Sequence, residues 1–161
     1  MISEQLGALL TKQIKHELNA HMAYSGISIY FQRRSLMRWA GLFRDQAIEE
    51  AQHADKIMAF LIDNEIEFDM PAVGGAATHF ESATQAVQAA LDSEIRVTGQ
   101  FNAMAAAAQS EGDHRTSQFL QWFIDEQVEE ERKMRGLLDL VDSGINLFQA
   151  EPLLEDGNRA S

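Results

Sequence analysis

The sequence predicts an all-α protein: a four-helix bundle with a long crossover between the second and third helices, plus a short C-terminal helix. Three observations predict it. Four stretches repeat apolar residues at three- and four-residue steps, the period of one helix face. The two prolines, Pro71 and Pro152, fall outside all four stretches. The links between stretches run short, long, short, and a long central link lets the third helix start from the far end of the bundle.

The first helix is expected from residue 4 to about 33, with Leu6, Leu10, Ile14, Glu17, Tyr24, Ile27 and Phe31 inward. The second runs from 36 to about 64, bounded by Ser35 and Asn64, with Trp39, Phe43, Ala47, Glu50, His53, Ala54, Ile57 and Leu61 on one stripe. EIEFDMPAVGGAATHFE, 65–81, breaks the pattern with a proline and paired glycines, too long for a hairpin. SATQ, 82–85, has the form of a capping box and opens the third helix, which runs to about Ser110. Its inward set is Val87, Leu91, Glu94, Val97, Phe101 and Met104 or Ala105. EGD, 111–113, is a short turn. The fourth helix spans about His114 to Asp142, with Phe119, Phe123, Gln127, Glu130, Met134, Leu137 and Val141 inward and Gly144 as C-terminal cap. The tail 143–161 is expected to hold one short helix before fraying. One domain accounts for 1–161, with the bundle at about 4–142.

Composition narrows the function. Net charge is 13 − 25 = −12, so nucleic acid and anionic membranes are not expected partners. The absence of cysteine excludes disulfides, thiolate metal sites and thiol nucleophiles. The start MISEQLGALLTKQ has no basic region followed by an apolar run. No apolar stretch approaches the roughly 20 residues that cross a membrane. A cytoplasmic protein is expected.

The chemistry lies in polar residues placed on the apolar stripes. They are Glu17, Glu50 with His53, Glu94, and Gln127 with Glu130, one group per helix. Adding 77 to 17, 50 and 53 gives 94, 127 and 130, so the two halves share one spacing. The first half reads E, E-x-x-H and the second E, Q-x-x-E. An i, i+3 pair projects from one helix face. In a pseudo-twofold bundle all six residues meet near mid-height. Four carboxylates and an imidazole in a core are very unfavourable without compensation. A metal pair supplies it, and hard oxygen donors with one nitrogen suit iron, or manganese in its place.

HELNAHMAY at 16–24, AIEEAQHADK at 47–56 and SEGDHRTSQFLQWFIDEQVEEE at 110–131 carry a family resemblance over nearly the whole chain. The sequence resembles the haem-free prokaryotic ferritins of the ferritin-like di-iron family. It departs from the Glu-x-x-His pattern of that class in its second half, at Gln127 and Glu130. The resemblance implies a first iron site at Glu17, Glu50 and His53. It implies a second at Glu50, as a bridge, Glu94 and Glu130, with Gln127 adjacent. Neutral Gln127 is expected to leave the second ion more loosely held. Glu49, Glu126 and Glu129, sharing Glu130, resemble an accessory iron site; an acidic patch that nucleates mineral is the alternative. Tyr24, two turns along from Glu17, resembles the tyrosine beside such centres, able to hydrogen-bond a ligand or supply an electron. Trp122 is either a redox-active neighbour or a packing residue.

Haem-binding bacterioferritins are similar at the E-x-x-H helix but carry methionine directly after that glutamate. Here the position is Ala51, and with the altered second half it argues against haem. His16, His21, His79 and His114 are expected to be structural or exposed. Glu111 and Asp113 lie where ferritins approach a threefold axis, but Ser117 and Leu120 occupy the positions of the acidic channel pair of animal ferritins, leaving the iron entry route open. The implied activity is ferroxidase: Fe(II) is oxidised by dioxygen or hydrogen peroxide and stored as ferric mineral. The implied assembly is a homo-oligomeric shell of twenty-four subunits. Leu36, Trp39, Phe60 and Phe68 are candidates for subunit contacts, with the core as the alternative.

Overall fold

The computed structural model describes residues 1–154. The end of the expected tail, 155–161, lies outside the described residues. The elements are α1 (Glu4–Gln32), α2 (Met37–Asp63), α3 (Ala83–Glu111), α4 (His114–Asp142) and α5 (Leu147–Ala150), followed by a 3-10 turn, Glu151–Leu153. The four long helices hold 29, 27, 29 and 29 residues. At 1.5 Å per residue each spans about 40 Å. α1 packs mainly on α2 and α3 on α4, with α1 also meeting α3. Among the described residues no helix is long and apolar enough to cross a membrane.

Local chemistry sets most of the boundaries. Ser3, Ser82 and Asp113 cap α1, α3 and α4 by accepting the backbone N–H of Leu6, Gln85 and Thr116. The capping box of α3 is shifted: Gln85 Oε1 accepts from the N–H of Glu81, at 2.6 Å, rather than from that of Ser82. α2 has no side-chain cap, since Leu36 precedes it. Ser35 instead takes φ 59° and closes the turn after α1. Gly112 and Gly144 have φ 70° and 78°, the left-handed geometry that ends α3 and α4.

The crossover of residues 65–82 lies across α1. Gly26 makes this possible: a Cβ there would stand 2.0 Å from the carbonyl oxygen of Ala77. Asn19 Oδ1 holds the N–H of Gly74 at 3.2 Å, and Phe80 packs edge-on against Tyr30.

Two apolar clusters fill the bundle. One contains Phe31, Trp39, Phe43, Val87 and Met134; the other contains Leu10, Ile57, Leu61, Phe101 and Phe123. Leu36 and Trp39, expected as candidates for subunit contacts, are core residues at 3 % and 0 % exposure. α5 covers them, and Trp39 Nε1 donates to the Leu147 carbonyl at 3.0 Å. Phe60 and Phe68 are half-buried, and Phe60 stacks on Phe119.

Candidate metal centre

Between the two apolar clusters lies a polar layer. Glu17, Glu50, His53, Glu94, Gln127 and Glu130 are all buried, at 5 % exposure or less. Their helices are otherwise mainly apolar on that face, so the four stripes bring all six side chains together at mid-height.

The donor atoms form two triads. Atoms of Glu17, Glu50 and His53 lie within 4.8 Å of one another, and so do atoms of Glu50, Glu94 and Glu130. Glu50 belongs to both. Among the described residues these are the two acidic and histidine groups close enough to share an ion. In the first triad His53 Nδ1 stands 3.3 Å from Glu50 Oε2 and 3.7 Å from Glu17 Oε2. Neither His53 Nδ1 nor Glu17 Oε2 makes a hydrogen bond, although both are buried. An unsatisfied buried donor or acceptor costs about 1–3 kcal/mol. A cation between these atoms would satisfy both.

The second triad is differently furnished. Tyr24 donates its hydroxyl proton to Glu94 Oε1. Gln127 Nε2 donates to Glu94 Oε2 at 3.0 Å and to the Glu94 carbonyl at 3.2 Å, and lies 3.2 Å from Thr98 Oγ1. Gln46 Nε2 donates to Glu130 Oε2 at 2.6 Å and to Glu50 Oε1 at 3.2 Å. Gln46 Oε1 in turn accepts from Lys133 Nζ at 2.9 Å. On the first side, Gln13 Nε2 donates to Glu17 Oε1 at 3.0 Å and to Gln100 Oε1 at 3.1 Å.

Gln13, Gln46, Thr98 and Lys133 escape the sequence reading. One signal could have found the glutamines: each lies four residues before a buried glutamate, Glu17 or Glu50, on the same helix face. The charge argument about Gln127 also needs correction. Relative to Glu-x-x-His, Gln127 removes one carboxylate but Glu130 adds one, so the charge count is unchanged. What distinguishes the second triad is that both oxygens of Glu94 already accept hydrogen bonds, from Tyr24 and Gln127, whereas the first triad keeps Glu17 Oε2 and His53 Nδ1 without one.

Without a cation the layer is electrostatically strained. Burial, then the charge of Glu50, raises Glu94 to about 7 against the opposing bonds from Tyr24 and Gln127. Burial also pushes Glu50 and Glu130 upward; the neighbouring Glu94 adds to the rise at Glu130, while Lys133 opposes it. Burial disfavours charge on His53, but the carboxylates of Glu17 and Glu50 outweigh it and lift the imidazole to about 11. Burial, then Glu94 and Glu50, holds the Tyr24 phenol well above its usual value.

The remaining residues singled out in the sequence are less concentrated. Glu49 and Glu126 are half-buried and Glu129 is exposed. None of the three joins either triad. Glu49 lies close enough for its charge to act on Glu130. Glu129 pairs with Arg132 at 2.5 Å. Trp122 packs its ring edge-to-face with His53, centroids 5.5 Å apart, and carries Lys56 Nζ over its ring at 3.6 Å. His21 Nδ1 donates to the Ala47 carbonyl at 2.7 Å, His79 contacts Arg33, and His114 is exposed at the start of α4. Asp113 is the cap of α4, and Leu120 is fully buried.

Comparison with known proteins gives one answer throughout. A family model described as Ferritin: Ferritin-like domain matches residues 7–143. Ferritin BfrB of Mycolicibacterium smegmatis is 38 % identical over 145 residues, covering 89 % of this chain and 80 % of that protein. A bacterial non-heme ferritin of Staphylococcus aureus is 34 % identical over 131 residues, covering 81 % and 79 %. Among solved structures, an open-pore ferritin from the hyperthermophilic archaeon Archaeoglobus fulgidus aligns with TM-score 0.85 at 28 % identity, covering 88 % of this chain and 86 % of that one. A humanized archaeal ferritin aligns with TM-score 0.89 at 27 % identity, covering 95 % and 92 %. The all-helical bundle, the paired donor triads and these matches together show that the chain belongs to the ferritin family, among its prokaryotic members.

Proposed function

We propose that this protein is a ferroxidase and iron store: it oxidises Fe(II) at the paired triads and deposits the product as ferric oxide inside a homo-oligomeric shell of twenty-four subunits. The observation that carries the reading is the pair of triads sharing Glu50, with Glu17 Oε2 and His53 Nδ1 of the first triad buried and without a hydrogen bond. Iron is the substrate. Glu17, Glu50 and His53 hold one ferrous ion; Glu50, Glu94 and Glu130 hold the other, with Gln127 orienting Glu94. Two ferrous ions each give one electron, which together reduce dioxygen to hydrogen peroxide, or peroxide to water. The carboxylates fix the ions at a distance set by the helices and leave the remaining positions open to the oxidant. Tyr24 orients Glu94 and is placed to supply a further electron.

Oxidised iron then moves inward, toward the interior of the shell, to build a hydrated ferric oxide. Glu49, Glu126 and Glu129 form the accessory position it reaches next. Ala51 offers no haem ligand where bacterioferritins carry methionine, so the centre works without haem. The acidic chain, −12 overall, favours cation accumulation, and the protein acts in the cytoplasm.

The test is a stopped-flow absorbance trace of metal-free protein mixed aerobically with two ferrous ions per subunit, then with a large excess. Glu50→Ala is run beside it. A fast phase saturating near two ions, absent in the variant, followed by slow mineral growth is the expected result. No fast phase in the unaltered protein would end the catalytic reading.

A further inference from the structure

The two halves of the repeat treat their first glutamates differently. Glu17 and Glu94 are counterparts at the offset of 77, and four residues before them stand Gln13 and Ala90. Glu94 has both oxygens engaged, by Tyr24 and Gln127. Glu17 has one: Gln13 Nε2 donates to Oε1 at 3.0 Å, and Oε2 makes no hydrogen bond. The same nitrogen gives its second hydrogen to Gln100 Oε1, across on α3, at 3.1 Å.

Gln13 can stand only this way round. An ionised carboxylate accepts and never donates, so the amide nitrogen faces Glu17 and the amide oxygen is turned away. A flipped amide would set oxygen against oxygen at Glu17 and again at Gln100. Gln13 and Glu17 are both buried, at 2 % and 0 % exposure, so water does not supply the bond instead. Glu17 Oε1 is thus satisfied by the chain, and Oε2, 3.7 Å from His53 Nδ1, is left for the ion.

We propose that Gln13 is a positioning residue that keeps Glu17 a one-oxygen ligand, so that the first ion retains an open position for the oxidant. The inference rests on the two-ion reading of the centre and adds what sets the reactivity of its first site. The bond does not bar an ion from Oε1, which keeps a free lone pair. It removes the gain an ion would have there, because Oε1 is already satisfied. Without Gln13, Oε1 becomes a second buried, unpartnered oxygen on Glu17, which a cation relieves. The ion then draws on both oxygens, is held harder, and has one position fewer for dioxygen or peroxide. Affinity and reactivity therefore move in opposite directions, which a loss of packing would not produce.

The experiment compares the metal-free, full-length protein with Gln13→Met, which has a similar length but no donor. Each is titrated calorimetrically with Zn(II), a redox-inert probe, and mixed with two ferrous ions per subunit in aerobic stopped flow. In Gln13→Met the first zinc event is expected to tighten by about tenfold, the lower end of the range for a buried acceptor left unpartnered, with the second event unchanged. The fast ferrous phase is expected to slow several-fold. Gln13→Leu, which also lacks the donor but packs differently, is expected to give the same pair of shifts. Gln100→Leu leaves the bond to Glu17 and is expected to reproduce the unaltered protein. A helical far-ultraviolet spectrum for each variant establishes folding. A first zinc event unchanged or weakened in both Gln13 variants, a tightened event with an undiminished fast phase, or equal shifts in Gln100→Leu overturns the inference and leaves the two-ion centre standing. An unaltered protein with neither two tight zinc events nor a fast ferrous phase overturns the centre and the inference together.

Discussion

The metal-free protein should lose stability as pH rises, opposite to proteins held by salt-bridged carboxylates. The perturbation is removal of metal followed by a change from about pH 5 to about pH 8. Glu94 ionises near 4.5 when exposed and at about 7 in the fold, with burial the main cause. The folded state therefore binds its proton more tightly than the unfolded chain. That contribution is complete below the unfolded value and gone above the folded one. Between pH 5 and 8 it amounts to about 2.5 kcal/mol for Glu94 alone. Glu50 and Glu130 are also raised and act with the same sign. His53, lifted to about 11, adds to it above the unfolded histidine value near 6.5. The assay is denaturant unfolding at fixed protein concentration with chelator present, across that range. The midpoint should fall steadily with pH. Glu94→Gln should flatten the slope by about 2.5 kcal/mol, because an amide has no proton to lose. Added Zn(II) should reverse the slope, since metal binds the deprotonated carboxylates. A metal-free protein equally stable at both ends of the range would refute the account of the layer as a strained, ion-requiring cluster.

Two further changes probe the scaffold and the centre. Gly26→Ala places a methyl against the Ala77 carbonyl, 2.0 Å away, and the crossover must lift. The expected loss is at least about 2 kcal/mol, with a melting midpoint lower by roughly 5 °C and faster proteolysis within 65–82; unchanged melting and cleavage would count against the close approach. Tyr24→Phe removes the hydroxyl donor on Glu94 without changing the ring packing against Phe43. Zinc stoichiometry should hold at two while the fast ferrous oxidation phase slows several-fold, and an unchanged rate would remove Tyr24 from the working centre.

Much of this arrangement is legible in the sequence because it rests on periodicity. α4 was expected from about His114 to Asp142, and Asp113, with its side chain on Thr116, starts it there. The six residues of the polar layer stand out because charge on an apolar stripe is rare and the offset of 77 repeats it. What periodicity does not carry is contact between distant segments. Trp39 lies on the apolar stripe of α2 yet reads equally as a subunit contact until α5, more than a hundred residues later, folds over it. Lys133 reads as one charge among many on α4; only the packing of α2 against α4 shows that it sets an amide. Nothing in the periodicity of α1 marks Gly26, whose use depends on where the crossover lies.

The same contacts explain how two similar halves can hold two dissimilar ions. Both triads carry carboxylates, and Glu50 is common to both. In the first, Glu17 Oε2 and His53 Nδ1 make no hydrogen bond, while Glu17 Oε1 accepts only from Gln13. In the second, Glu94 already accepts from Tyr24 and Gln127, and Glu130 already accepts from Gln46. A carboxylate oxygen has two lone pairs, so these bonds do not block an ion, but they withdraw electron density and fix the carboxylate plane. An arriving ion gains more where it satisfies unpartnered atoms than where it must share engaged ones. The first site should therefore fill first and hold harder, and the second ion should be the one that leaves. Two zinc events of equal affinity would contradict this. The looser second ion follows not from a missing charge at Gln127 but from donors that bonded the second triad before any metal arrived.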